Sequence, residues 1–419
     1  MASSTRKIRL YYSQGFVLVG VSFAQAMTEH RIAILPGDGT GREVAQEAVR
    51  LLETISEYSK HGFELTQIDC GGQHFKEVGV EWAEGSFDFC KNEADAIFPG
   101  AIGHPGSYLP NGDLAGGSVI LGLRSGLDLY ANVRPIKLYE GVPHKIHGKF
   151  RQIWAPDMVN MSILRENTEG LYHSLLKRAS HRAQGLEEYE VPELEFPELK
   201  GEVAYDPRPI SSFGTERLVK MGFEMAEIRN GAPADGVKRV SCIDKSNVTR
   251  GCQLFRKTFD QVAKSYPDTE VDYGYIDAFT QWLTRTPEHY DVVVTSNLFG
   301  DISTDLASVL QGGMGMAASG NIGDEHAFFE PVHGSSPKYA GQNKVNPIAS
   351  INSIQMMMDW LGRKENNEDL IHVGEIIDES VAKHLKNNSQ LTYDLGGNAS
   401  CSDVGEAICE LVKARLIEL

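Results

Sequence analysis

Residues 31–56 hold the tightest constraint on the fold, because a short apolar run, a glycine turn and a helix-period segment follow one another without a gap. Ile32-Ala-Ile-Leu35 is of the buried-strand type, Pro36-Gly-Asp-Gly-Thr-Gly41 is a turn, and residues 43–56 repeat apolar side chains at helical spacing. Residues 96–102 form a second strand-like run, interrupted by a Pro-Gly turn signal. Residues 291–295 form a third, followed by a helix over about 301–310. Strands alternating with helices predict an α/β chain built on a largely parallel sheet. Residues 405–419 read as an amphipathic closing helix.

The rhythm breaks at residues 179–212, where Glu187, Glu188, Glu190, Glu193, Glu195, Glu198 and Glu202 stand among four prolines. This stretch reads either as an extended arm on the surface or as a disordered acidic loop. At 419 residues the chain has room for two domains. Its formal charge of −17, with no basic stripe, argues against a nucleic-acid partner. Six cysteines without a CxxC pair indicate free thiols in a reducing compartment. No apolar run reaches the ~18 residues that span a bilayer, so no membrane partner is expected. Residues 1–27 carry three basic residues, no acidic one and an apolar stretch from Gly15. They read as an extension ahead of a functional start at Met27, which implies a cytoplasmic protein. Read as a transit peptide, they imply an organellar one.

Three groups of residues could carry chemistry. Asp301 and Asp305, four apart at the start of the expected helix, share one face. Their carboxylates would repel unless a cation lies between them, and hard oxygen ligands suit Mg²⁺ or Mn²⁺. The same spacing also describes a solvated acidic first turn favoured by the helix dipole. Arg124, Arg134 and Arg165 would suit a di- or tricarboxylate if they converged, since guanidinium forks grip carboxylates bidentately. Singly, each also reads as a surface ion pair. Tyr172 and Lys245 could transfer protons if their surroundings tuned them, and a structural role fits either one equally. The turn at residues 37–41 is GxGxG, not the GxGxxG dinucleotide fingerprint, and as a tight turn it needs no ligand.

Taken in order, these pieces resemble the isocitrate/isopropylmalate dehydrogenase family of β-decarboxylating dehydrogenases. Six motifs carry the resemblance: Leu35-Pro-Gly-Asp-Gly-Thr-Gly41, Asp128-Leu-Tyr-Ala-Asn-Val-Arg-Pro135, Arg165-Glu-Asn-Thr-Glu-Gly170, Asp244-Lys-Ser-Asn247, Asn297-Leu-Phe-Gly-Asp301 and Glu330-Pro-Val-His-Gly-Ser335. The resemblance implies a two-domain fold that is not Rossmann, with the active site in the cleft between domains. Residues 28–129 and 312–419 would form the large cofactor-binding domain. Residues 130–311 would form the smaller substrate and dimerisation domain, with the arm near 179–212. It further implies that Arg124, Arg134 and Arg165 bind substrate carboxylates and that Tyr172 protonates the enol left by CO₂. Lys245 would assist removal of the hydroxyl proton, and Asp277 would join Asp301 and Asp305 around the metal. In this family Lys245 and Asp277 reach into a partner's site, so a homodimer with shared active sites is implied. A non-catalytic regulatory subunit would have lost some of these residues, and all are present.

For the cofactor, the resemblance places His333, Gly334, Ser335, Lys338, Tyr339, Asn346 and Tyr393 at the dinucleotide. Lys338 and Tyr339 stand where NADP-using relatives face the 2′-phosphate, which favours NADP over NAD, although Gly397 replaces an Arg of NADP-using isocitrate enzymes. For the substrate, Ser118 matches isocitrate enzymes, while Ile120 and Leu121 match the apolar pair of isopropylmalate enzymes. Gly117 stands where the latter usually carry a Glu. The apolar pair welcomes an alkyl group and penalises an unpaired carboxylate, so a 3-isopropylmalate-like substrate is favoured. Isocitrate and homoisocitrate are the alternatives.

Overall fold

The computed structural model describes residues 4–12, 15–23 and 28–418 except 193, 388 and 389, with side chains from residue 29 onward. Met27 and Glu193 therefore lie outside the described residues. The strands, in chain order, are β1 Ser4–Tyr12, β2 Gly15–Phe23, β3 Thr28–Leu35, β4 His61–Ile68, β5 Ala96–Pro99, β6 Ala131–Lys137, β7 His144–Ile146, β8 Lys149–Arg151, β9 Asn160–Glu166, β10 Arg239–Asp244, β11 Glu270–Tyr275, β12 Val292–Thr295, β13 Ala318–Ile322 and β14 Ala327–Pro331. All but the β7–β8 hairpin join one sheet, in the order β11-β10-β12-β9-β6-β13-β14-β5-β3-β4-β1-β2.

The runs β11-β10-β12-β9 and β14-β5-β3-β4-β1 of this sheet are parallel, as the alternation of strands and helices predicts, while β2 closes one edge antiparallel to β1. The middle of the sheet is not parallel either: β6 runs antiparallel to both β9 and β13, and β13 antiparallel to β14. The strands β5 and β12 are buried along their whole length, which is why they read as apolar runs without alternation. β11, at the edge, leaves Val271, Tyr273 and Tyr275 exposed.

Helix boundaries matter most at the acidic pair. The expected helix near residue 301 in fact spans Asn297–Ser308, with Ser296 at its N-cap and no acidic residue in its first turn. Asp301 and Asp305 sit mid-helix, so the favourable helix dipole does not explain them. The predicted strand at 96–102 stops at Pro99, and the closing helix spans Cys401–Ile417, opened by a capping box between Ser400 and Asp403. The described residues between 184 and 211 carry no regular secondary structure. Tyr189 packs edge-on against His181 there, with ring centroids 5.7 Å apart. All six cysteines are buried and free. Among the described residues no helix is long and apolar enough to cross a membrane.

His61, at the start of β4, is buried, and neither ring nitrogen has a hydrogen-bond partner. Burial, then the neighbouring charges of His30 and Lys60, lower its pKa. The unfolded chain therefore takes up the proton first, at its ordinary value near ~6.5. The stabilising contribution is present above that value and is lost as pH falls through the lower folded one. His384, lowered chiefly by burial, adds in the same direction. Burial raises Glu166 to about 7, which opposes this trend over the same interval. The share of His61 is therefore read as a difference: in urea unfolding the gain in free energy from pH ~5 to pH ~7.5 is expected to be smaller in His61→Leu than in wild type. Identical pH dependence of the two proteins would refute the assignment.

Candidate active site

β9 and β6 lie side by side and present Arg165 and Arg134 towards the helix Asn297–Ser308. Asn297, Asp301 and Asp305 repeat every fourth residue, so one stripe of that helix faces the arginines. Arg165 is nearly fully buried. Its Nε and Nη2 donate to Asn297 Oδ1 at 3.0 and 2.7 Å, and its Nη1 pairs with Asp301. The approach is close because residue 300 is glycine: a Cβ there would stand 2.5 Å from Arg165 Cβ. Arg134 donates to Thr304 and lies 3.4 Å from Asp305 Oδ1 and 3.8 Å from Asp301 Oδ1. Arg124, on the helix Gly117–Gly126, donates from Nη2 to Glu330 Oε1 at 2.7 Å. Tyr172 donates its hydroxyl to Asp301 Oδ2 at 3.0 Å.

Three guanidiniums in one buried patch oppose one another. Burial first, then Arg124 and Arg134, push Arg165 down to about 9, and Arg134 is lowered by burial and by Arg124. A bound anion would relieve both effects. The Nε atoms of Arg124 and Arg134 are buried without a hydrogen-bond partner, as expected of donors kept for a ligand. Burial, followed by Asp301, raises Tyr172, so its hydroxyl keeps its proton. Glu330 is anchored in turn by Asn321 Nδ2 at 3.0 Å, and Asn132 and Asn167 both donate to Asn321 Oδ1. This buried network fixes the base of the site from the antiparallel middle of the sheet.

Two cavities meet at His333 and Gly334. The first, about 340 Å³, has Arg124, Arg134 and Glu330 at its base and Ile102, Leu114, Gly117, Ile120, Leu121 and Leu175 on its walls. The second, about 370 Å³, is lined by Thr40, residues 312–315, Asn346, Tyr393 and Asp394. Asn346 donates to Asp394 Oδ2 at 3.1 Å. Ser335 lies behind the shared wall: its carbonyl accepts from Thr40 N at 2.8 Å and its hydroxyl donates to the Gly103 carbonyl. Lys338 and Tyr339 lie on an exposed turn, where the Tyr339 and Tyr393 rings stand 5.4 Å apart.

The structure thus brings Arg124, Arg134, Arg165, Tyr172, Asp301 and Asp305 together. Lys245 and Asp277 pair with each other elsewhere, and among the described residues no three acidic, His or Cys side chains form a metal cluster. Asp301 and Asp305 fit two positions of a hard-oxygen ligand set, since Asp305 is raised first by burial and also by the adjacent Asp301 carboxylate, a repulsion that a cation would remove. Ser118 does not line the first cavity. Its side chain faces a third cavity, of about 670 Å³, shared with Trp82 and Arg182. Reading the sequence missed Asn297, Thr304, Glu330, Leu175 and Lys344. Lys344 lies over the Tyr393 ring at 4.9 Å. Asn297 could have been found by extending the helix stripe of Asp301 and Asp305 back by one turn, and Thr304 lies on the same face, three residues after Asp301. Leu175 had no signal, because its helix, His173–Ala183, was not read.

An arginine cluster beside an aspartate pair, next to a second cavity, agrees with the relatives that this chain matches, and they define the class: this chain is an oxidoreductase of the β-decarboxylating dehydrogenase type. It belongs to the isocitrate/isopropylmalate dehydrogenase family, whose pattern matches residues 31–408. A homoisocitrate dehydrogenase of Methanocaldococcus jannaschii is 37% identical over 92% of this chain and 99% of its own. A 3-isopropylmalate dehydrogenase of Clostridium acetobutylicum is 34% identical over 93% and 100%. Among solved structures, isocitrate dehydrogenase from Methylococcus capsulatus superposes with a TM-score of 0.74 at 28% identity, covering 92% of this chain and 99% of its own. A β-decarboxylating dehydrogenase from Thermococcus kodakarensis gives 0.68 at 33% identity, covering 92% and 97%. The family requires Mg²⁺ or Mn²⁺ and NAD(P) and takes small carboxylate substrates.

Proposed function

We propose that this chain oxidises and decarboxylates a 3-substituted malate-type 2-hydroxy acid carrying an alkyl substituent of about the size of isopropyl, with NADP⁺ as hydride acceptor. The observation that carries the reading is the apolar wall of Ile120, Leu121 and Leu175 above the arginines. A carboxylate against that wall would lose its water without a partner. A carboxylate-bearing substituent, as in homoisocitrate or isocitrate, is the second reading. One contact favours it: a Cβ on Gly117 would lie 3.7 Å from Arg182 Nη2.

In this reading Arg124, Arg134 and Arg165 hold the malate carboxylates and keep water from them. A bound Mg²⁺ or Mn²⁺, held by Asp301 and Asp305, would polarise the hydroxyl and carboxylate oxygens as a Lewis acid. Tyr172 delivers the proton that replaces CO₂ on carbon, from the hydroxyl that Asp301 orients. Asp277 and Lys245 serve the site of a second copy. This is supported by their separation from Asp301 within one chain and by the exposed Tyr273, Tyr275, Trp282 and Ile302. The division into a domain of residues 28–129 with 312–419 and one of 130–311 belongs to the same proposal, as does a cytoplasmic location.

The NADP preference rests on Lys338 and Lys344 beside Tyr339 and Tyr393. Lys338→Asp is expected to lower kcat/KM for NADP⁺ about tenfold to a hundredfold, the weight of a charge-assisted contact, with little change for NAD⁺. Equal losses for both dinucleotides would remove Lys338 from the phosphate. For the substrate, kcat/KM is compared for 3-isopropylmalate, isocitrate and homoisocitrate. A preference for either tricarboxylate would replace the alkyl reading with the second one.

A further inference from the structure

The loop at residues 103–116 walls the substrate cavity; Gly103, Gly106, Gly112 and Gly116 all take positive φ, and Leu109 N to the Asp113 carbonyl at 2.8 Å and Ala115 N to the Ser107 carbonyl at 2.9 Å fold it on itself. Its two ends are held. Gly103 N donates to Asp38 Oδ2 at 2.8 Å, and Gly116 N and Ser118 N donate to Glu81 Oε1 at 2.7 and 3.1 Å. Glu81 thereby caps the helix that carries Arg124, whose own N-cap, Gly116, has no side chain to do so. The loop is also tied to the helix His173–Ala183 through Asp113. Asp113, nearly buried, accepts from Arg178 Nε and Nη2 at 3.3 and 3.1 Å and from Arg182 Nη1 at 3.0 Å. Arg182 Nε also stands 3.6 Å from Glu81 Oε2, so two acids and two bases alternate between the loop and the helix His173–Ala183.

That helix follows Tyr172 directly and brings Leu175 into the cavity, opposite Leu114 and Leu121. The two helices pack closely at Gly122, where a Cβ would come within 2.8 Å of Ala183 Cβ, so the ion pairs of Asp113 and Glu81 act on a helix held near the one that carries Arg124. We propose that Asp113 is a positioning residue whose grip on Arg178 and Arg182 closes the substituent end of the cavity, drawing Leu114 towards Leu175. This proposal rests on the alkyl-substituent reading. Asp113 does not meet the reacting atoms, so its contribution falls on substrates whose substituent fills that end.

The test compares Asp113→Asn and Asp113→Glu with wild type on 3-isopropylmalate and on unsubstituted malate. Asp113→Asn is expected to raise KM for 3-isopropylmalate about tenfold, leaving its kcat and the KM for malate within about twofold. Asp113→Glu, which keeps the charge, should recover part of the loss. If Asp113→Asn does not fold, Arg178→Gln serves instead and should give the same split in smaller measure. An unchanged KM for 3-isopropylmalate, or equal rises for both substrates, overturns the role of Asp113 while the function reading stands. A wild type that turns over neither compound overturns the function reading, and this proposal with it.

Discussion

Tyr172→Phe is expected to lower kcat by about 10²–10⁴-fold, the usual worth of a positioned general acid, while KM changes little. The hydroxyl is the only group lost. The ring beside the Arg165 guanidinium, 5.7 Å away, is retained, and Asp301 keeps its pairing with Arg165. Because Tyr172 is partly exposed, the stability cost should stay within about 0.5 kcal/mol. Steady-state kinetics and urea unfolding on the same preparation separate the two effects. A kcat within about threefold of wild type would remove Tyr172 from proton transfer.

The largest structural effect is expected at Asp38. This carboxylate is fully buried and accepts three backbone N–H groups, from Gly72 at 2.8 Å, Gln73 at 2.7 Å and Gly103 at 2.8 Å. It sits so close to residue 71 that a Cβ there would stand 2.6 Å from Asp38 Oδ2, and Gly71 has the positive φ that only glycine takes without strain. Asp38→Ala would leave three buried donors unpaired, each costing about 1–3 kcal/mol. A total near 3–5 kcal/mol is expected after relaxation. Substrate KM should rise as well, since Gly103 opens the loop that walls the cavity. Asp38→Asn, which keeps one oxygen, should lose roughly half as much. A loss under about 1 kcal/mol for Asp38→Ala would mean that water satisfies these groups.

Asp38 also shows what the sequence could and could not disclose. The turn at residues 37–41 was legible as a turn. That its aspartate ties together loops 34 and 65 residues downstream is a fact of tertiary structure. The buried strands β5 and β12 announced themselves as apolar runs, while β10, with Arg239, Ser241 and Asp244 among its buried residues, did not. The antiparallel middle of the sheet did not either, because nothing in β6 or β13 states which neighbour it will pair with. Arg124, Arg134 and Arg165 were visible as three cations. Their convergence depends on strand order and came only from the family resemblance. The substrate face of the helix Gly117–Gly126 was legible in principle: Gly117, Ile120, Leu121 and Arg124 follow the i, i+3, i+4, i+7 pattern, and Ser118 falls off it. The aspartate pair was found, but starting its helix one turn late left a dipole explanation open that Asn297 closes.

The most direct test of the central claim follows NADPH formation and CO₂ release together, with 3-isopropylmalate, isocitrate, homoisocitrate and malate, in the presence of Mg²⁺. The account predicts that one of these substrates gives one CO₂ per dinucleotide reduced, that EDTA abolishes both signals and that Mn²⁺ restores them. Reduction without CO₂ release, turnover undiminished in EDTA, or no turnover of any substrate by the folded protein would contradict it.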